Sequence, residues 1–202
     1  MGENHLIQMR KKRAIPKTTN SNHHYLVYAN EIKYLDNLLP STVWVADITY
    51  VPVGYRWCYV AIVLDQCTRK VVGWSIATHM RTSLCLEALT MALDNHPAPT
   101  FHHSDRGSQY CSHEYQRRLK QHNIRPSMAD VGVSVDNPFA ESFNRSFKVE
   151  EVYLNVYENI SEARASIAAY VACYNTTRLH SSLGYVPPVE FEANYQREVS
   201  KS

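Results

Sequence analysis

From Thr42 onward, hydrophobic residues crowd into short runs separated by turn-forming breaks. Thr42 to Val51, Trp57 to Asp65 and Lys70 to Thr78 are rich in Val, Ile, Trp and Tyr. Pro52-Val-Gly54 divides the first two and the polar step Gln66 to Arg69 the second and third, the punctuation of three consecutive antiparallel strands. Tyr59 to Leu64 is apolar without alternation, so this strand is expected inside the sheet rather than at its edge. In Ser83 to Asn95, Leu84, Ala88, Met91 and Ala92 recur near helical spacing, and Pro97 and Pro99 stop the helix. Thr100 to Ser104 reads as a short strand, Ser112 to Asn123 as a helix, and Ile124 to Met128 as another short strand. The order becomes βββαβαβα, which describes an α/β fold: a mixed five-stranded sheet with helices on both faces.

After the Gly-containing stretch Ala129 to Asp136, Asn137 suits a helix N-cap and Pro138 a first helical residue. Phe139, Phe143 and Phe147 recur every four residues as a buried stripe. At roughly 100° per residue, Glu141 and Lys148 fall within ~20° of each other and nearly opposite Phe139, flanked by Asn144 and Arg145. That polar face is expected to meet solvent or a ligand. A second helix, Ser161 to about Asn175, carries Ile167, Val171 and Tyr174 on one side, and Leu183-Gly-Tyr-Val-Pro-Pro188 breaks regular structure before a short amphipathic end. Residues 1–39 read as a basic polar leader, or the remnant of an upstream DNA-binding region, with a short amphipathic piece at Glu31 to Leu39. Residues 40–192 form one core and 193–202 a tail.

At 202 residues and 45% hydrophobic, the chain can bury one sizeable core. A formal charge of +2 does not by itself indicate nucleic acid, so local charge must carry any such reading. The tract Arg10-Lys-Lys-Arg13 with Lys17 fits a flexible basic arm, a solvated leader or a vector-proximal remnant equally well. Five widely spaced cysteines, Cys58, Cys67, Cys85, Cys111 and Cys173, suit reduced thiols and a cytoplasmic location. Ten histidines without a Cys-x2-Cys pair do not make a zinc site, so no zinc is expected. The apolar runs are strand-length and follow no signal sequence, which argues against a membrane span or export.

Three acidic residues stand out in this frame. Asp47 lies in mid-strand between Val45-Ala46 and Ile48, where an unpaired carboxylate is costly to desolvate. A buried salt bridge to an arginine is the alternative account. Asp105 ends a short strand and opens a loop, a usual place for a catalytic group, although a turn-forming Asp before Gly107 would look the same. His103 and Ser104 are candidates for supporting that loop or meeting DNA, and His102 for a surface position. Glu141 gains interest from its neighbours Asn144, Arg145 and Lys148, a polar array suited to phosphate contacts. Three carboxylates can hold two Mg2+ ions about 3.5–4 Å apart, which cleave or join phosphodiesters without a nucleophilic side chain.

Taken in order, Trp44-x-x-Asp-Ile-Thr-Tyr50, Leu64-Asp65, Val72-Gly-Trp74, His103-Ser-Asp-Arg-Gly-Ser-Gln-Tyr110, Asp136-Asn137, Glu141-Ser-Phe143, Lys148-x-Glu150 and Tyr174-Asn-x-x-Arg-x-His180 with Leu183-Gly-Tyr-x-Pro-Pro188 form one signature. It resembles the catalytic subunit of bacterial insertion-sequence transposases of the IS-three family, within the retroviral-integrase-like DDE superfamily, over about residues 40–192. The resemblance implies a ribonuclease H-like core with Asp47, Asp105 and Glu141 as the catalytic, metal-binding triad. It further implies Mg2+ as cofactor, with Mn2+ able to substitute, and Lys148 as a DNA-contacting residue; Arg145, Asn144 and Arg106 are the other candidate DNA contacts. Double-stranded DNA, as transposon ends and target, is the implied partner, acted on by a homo-oligomer associated with the nucleoid. The implied reactions are nicking at element ends and strand transfer. Two departures accompany it. Pro138 stands where the family often has Ala, and the helical DNA-binding region usual upstream is largely missing. A related nuclease, or a catalytically idle or truncated DNA-binding regulator of transposition, are the rival readings.

Overall fold

The computed structural model describes residues 16, 18, 21–36, 38–130 and 137–201. Arg10 to Arg13, Lys17 and Asp136 lie outside the described residues. Five strands, β1 (Val43–Val53), β2 (Arg56–Asp65), β3 (Val71–Ala77), β4 (Phe101–Ser104) and β5 (Arg125–Met128), form one sheet in the order β3-β2-β1-β4-β5. The first three make an antiparallel meander, and β4 and β5 join it in parallel to β1 and to each other. The central strand is therefore β1.

Its side chains alternate between two cores, as a strand's period of two requires. Val43, Val45, Val51 and Val53 face α4 (Pro138–Phe147) and α5 (Ile160–Thr176), where they meet Phe143, Phe147, Ile167 and Val171. Trp44, Ala46 and Ile48 face α1 (Thr82–Asn95) and α3 (His113–Gln121), against Leu84, Ala88, Tyr115 and Leu119. The unbroken apolar run in β2 has the same cause: it lies between two covered strands, with helices on both faces. A last helix, α6 (Pro188–Val199), packs against α5.

Several details differ from the sequence reading, each for a local reason. A short α2 (Ser108–Cys111) that the sequence did not announce precedes α3, which is the helix expected over Ser112 to Asn123. Ser112 stops the first with extended backbone, and its hydroxyl caps the second by accepting the Tyr115 N–H. Pro138 does start α4, but Asn137 gives its side chain to the sheet rather than to the helix, Nδ2 donating to the Ala46 carbonyl at 3.0 Å. Of the phenylalanine stripe, Phe143 and Phe147 are buried, whereas Phe139 is half-buried beneath the Arg69 guanidinium, 3.8 Å from the ring centre. The amphipathic piece around Glu31 to Leu39 begins in a turn at residues 31–34, and residues 21–36 run along the open edge of β5. There the Ala29 carbonyl accepts the Met128 N–H, Tyr28 reaches one core, and Ile32 the other. An edge strand that would otherwise expose its ladder is thereby covered.

Helix α1 lies so close on β3 that a Cβ at Gly73 would stand 2.2 Å from the Ala88 carbonyl oxygen and 2.8 Å from the Ala92 nitrogen. Backbone, not a flexible side chain, would have to move. Gly73→Ala is expected to cost about 3 kcal/mol, the upper range for overpacking, read as a lower denaturant midpoint at unchanged slope. A midpoint equal to wild type would show that α1 can withdraw freely.

Candidate active site

The parallel pairing of β1 with β4 aligns Val45 with His103. Two residues further on come Asp47, within β1, and Asp105, just past the end of β4, near enough for their charges to interact. Asp47 is in phase with Val43 and Val45, so it points toward α4 from a position that otherwise holds an apolar residue. Glu141, exposed in the first turn of α4, is near enough for its charge to act on Asp47. The electrostatic consequence is direct. Burial, reinforced by the nearby charges of Asp105 and Glu141, raises the Asp47 carboxyl to about 7, against hydrogen bonds from the Ile48 N–H and the Asn144 amide. Three elements thus bring three carboxylates into mutual influence. Among the described residues Asp47 belongs to no ion pair, so the salt bridge weighed as its alternative role is absent.

The surrounding side chains hold this arrangement. Asn144 Nδ2 donates to Asp47 Oδ2 at 2.7 Å, and the other Asp47 oxygen accepts the Ile48 N–H at 2.8 Å. The buried Asn144 Oδ1 has no partner among the described residues. Asp105 Oδ1 accepts the Gly107 N–H at 2.9 Å, and a Cβ on Gly107 would sit 2.9 Å from that same oxygen, so a side chain there would push the carboxylate from this position. Pro138 as first residue of α4 leaves Glu141 inside the helix, its N–H bonded to the Asn137 carbonyl at 3.1 Å.

The candidate DNA-contacting residues are distributed differently. Arg145 is exposed on α4. Arg106 folds onto the loop after β5, donating to the Ala129 carbonyl at 2.7 Å and pairing with Asp130 at 3.4 Å. Lys148 opens a π-helical turn, Lys148–Val152, and bends back to β1, where its ammonium donates to the Tyr50 carbonyl and lies 3.7 Å from the Tyr50 ring centre. Its half-buried setting lowers the ammonium to about 8. Asn144, one of the four, is the partner of Asp47 described above.

Two features escaped the sequence. His102, placed at the surface by the sequence reading, is buried against the Tyr115 hydroxyl at 2.9 Å, and burial drives its imidazole down to about 3, hence neutral. The tract His102-His103-Ser104 is interior throughout. The second is a clasp beyond α4. Arg178 grips both Glu150 oxygens at 2.7 and 2.8 Å and the Ser146 hydroxyl at 3.2 Å, while Tyr170 donates to Glu150. The paired motifs Lys148-x-Glu150 and Arg178-x-His180 were its only sequence signal.

An integrase core domain family matches residues 38–134, and a second integrase core domain family matches residues 122–188. The chain belongs to the integrase core family. Among similar proteins of this family is the transposase InsF for insertion sequence IS3A of Escherichia coli (strain K12), 41% identical over 156 residues, covering 76% of this chain and 54% of that protein. A transposase for insertion sequence element IS629 of Shigella sonnei is 38% identical over 161 residues, covering 79% of this chain and 54% of the other. The resemblance to IS-three transposases is borne out by these relatives, and this integrase core chain spans about half their length. Among solved structures, the catalytic core domain of HTLV-2 integrase in complex with magnesium superposes with a TM-score of 0.61 at 15% identity, covering 78% of this chain and 99% of that one. A chain of a simian T-cell lymphotropic virus intasome gives 0.69 at 16%, covering 85% and 60%. The sheet and its helices are thus the ribonuclease H-like fold expected of an integrase core.

The raised Asp47 carboxyl generates a pH-dependent expectation. A carboxyl that titrates near 7 when folded and near 4 when unfolded binds more protons in the native state between those values, so native stability falls as pH rises through that window. Asp47→Asn removes the charge and keeps an acceptor for the Ile48 N–H; the Asn144 amide can turn its unpartnered oxygen to the new Nδ2. Without metal, the variant should melt about 4 °C or more above wild type at pH 8, the difference vanishing below about pH 4. A melting difference independent of pH would contradict the electrostatic account.

Proposed function

We propose that the chain is the catalytic core of a DDE-type DNA transposase, a polynucleotidyl transferase that cleaves phosphodiesters at element ends and transfers the freed strand to target DNA. One observation carries the reading: in an integrase core, the central-strand Asp47 lies in a buried setting charged further by Asp105 and Glu141. The core assigned to this function spans about residues 40–192. We assign Asp47, Asp105 and Glu141 as ligands for Mg2+, which Mn2+ can replace. The donors fit that assignment. All three are hard oxygen ligands, and Asp47, the buried one, belongs to no ion pair among the described residues. Still, among the described residues no group of three or more His, Cys, Asp or Glu side chains is close enough to enclose a metal ion as it stands. When bound, the metal supplies an activated oxygen nucleophile and stabilises charge on the leaving oxygen.

The chain's own residues orient these groups. Asn144 holds Asp47 toward α4, and the Gly107 N–H holds Asp105 toward β1. Arg145 projects from the same helix as Glu141 toward solvent, where a DNA phosphate can approach. Lys148 sits on β1 three residues beyond Asp47, and we assign it to a backbone phosphate near the scissile bond, released from Tyr50 when DNA binds. The partner is double-stranded DNA, with both element ends and target engaged by more than one copy of the chain, since two ends must be joined. Among the described residues no helix is long and apolar enough to cross a membrane, which is compatible with a cytoplasmic, nucleoid-associated protein.

Mg2+ or Mn2+ should raise the melting temperature of wild type, because an ion that binds only the native state stabilises it. Asp105→Asn should lose most of that shift. Equal shifts in both proteins would remove Asp105 from the site. Lys148→Ala should weaken DNA binding and lower the slope of log affinity against log salt by roughly one phosphate contact, about 0.9, with the metal-induced shift retained. An unchanged slope with a lost metal shift would reverse the roles assigned to Lys148 and the carboxylates.

A further inference from the structure

We infer that His23, on the segment that straps the β5 edge, is a positioning residue for Asp105. The inference rests on the reading of Asp105 as a metal ligand, and it identifies what fixes that ligand's direction. The link is a single peptide unit. The carbonyl of Arg106 and the N–H of Gly107 belong to the same planar group. Its N–H end donates to Asp105 Oδ1 at 2.9 Å, and its carbonyl end accepts from His23 Nε2 at 2.9 Å. The histidine is itself oriented. Its Nδ1 accepts the Tyr25 N–H at 3.2 Å, which leaves the ring proton on Nε2, the nitrogen that faces Arg106. Rotation of that peptide, which would carry the Gly107 N–H away from the carboxylate, therefore breaks two hydrogen bonds instead of one.

The strap grips the other side of Asp105 as well. The Glu31 N–H donates to Ser127 Oγ at 2.9 Å, and the same hydroxyl bonds Nδ1 of the buried His103, two residues before Asp105, at 2.9 Å. Arg125 pairs with Glu31 at 2.6 Å, and Asp130 bridges Lys33 and Arg106 at 3.4 Å each. Residues on both sides of Asp105 are thus tied to one segment that lies outside the sheet. Its effect passes through the backbone that carries Asp105, as hydrogen bonds around a ligand commonly tune metal affinity.

The test is Mn2+ binding by calorimetry to the full chain without DNA, for wild type, Asp105→Asn, His23→Ala and His23→Gln. His23→Ala should bind about tenfold more weakly, and His23→Gln, whose amide can still donate to the Arg106 carbonyl, should recover most of that loss. Hydrogen exchange at the Gly107 amide should quicken in His23→Ala and stay near wild type in His23→Gln. His23 is only partly buried, so its replacement does not threaten the core. If His23→Ala binds Mn2+ as wild type does, or if Gly107 exchange is unchanged, the positioning role is wrong while the metal site stands. If the glutamine is as weak as the alanine, the hydrogen bond is not the route and the inference fails. Wild type and Asp105→Asn binding alike would overturn the metal reading and this inference with it.

Discussion

A carboxylate in the middle of a strand covered on both faces is the constraint around which this molecule is organised. Asp47 occupies a position whose neighbours in phase, Val43, Val45 and Val51, are all core residues. A polar group there needs hydrogen bonds, and a charge needs more than that. The chain supplies the first from Ile48 and Asn144 and then adds two further carboxylates, which makes the charge harder to carry. Such an arrangement opposes folding. The remainder of β1 and its two apolar cores stabilise the sheet around it.

Helix α4 resolves the resulting conflict by doing two things on two faces. Phe143 and Phe147 stack 5.9 Å apart and seal the core with Tyr170 and Tyr174, while Glu141, Asn144 and Lys148 lean toward β1. The widening of the helix at Lys148–Val152 then lets a buried Glu151 accept from the Tyr157 and Ser166 hydroxyls and leaves Glu150 facing Arg178. Helix position is thus set by aromatic packing on one side and by charged hydrogen bonds at its end, so the carboxylate it brings to the site need not supply any of the stability.

Much of this was legible because it follows from local pattern. The meander of β1 to β3, the interior place of β2, the Pro138 start of α4 and the packing side of α5 all follow from periodicity and turn chemistry that neighbours do not override. The three acids could be picked out because their surrounding words were distinctive. What stayed hidden depends on contacts far apart in sequence. Nothing local says that His102 is buried against Tyr115, that Asn144 bonds Asp47, or that residues 21–36 cover an edge. A polar residue satisfied by a distant partner looks, in sequence, like one satisfied by water.

The Arg178 clasp also imposes an order in time. All three acids have been synthesised once residue 141 is made, and the sheet that carries two of them can form from what precedes it. The group that fastens the far end of the third acid's helix lies 28 residues beyond its partner Glu150, after the whole of α5. Domains tend to fold as units during synthesis, so this fastening is available only to a chain that extends past residue 178.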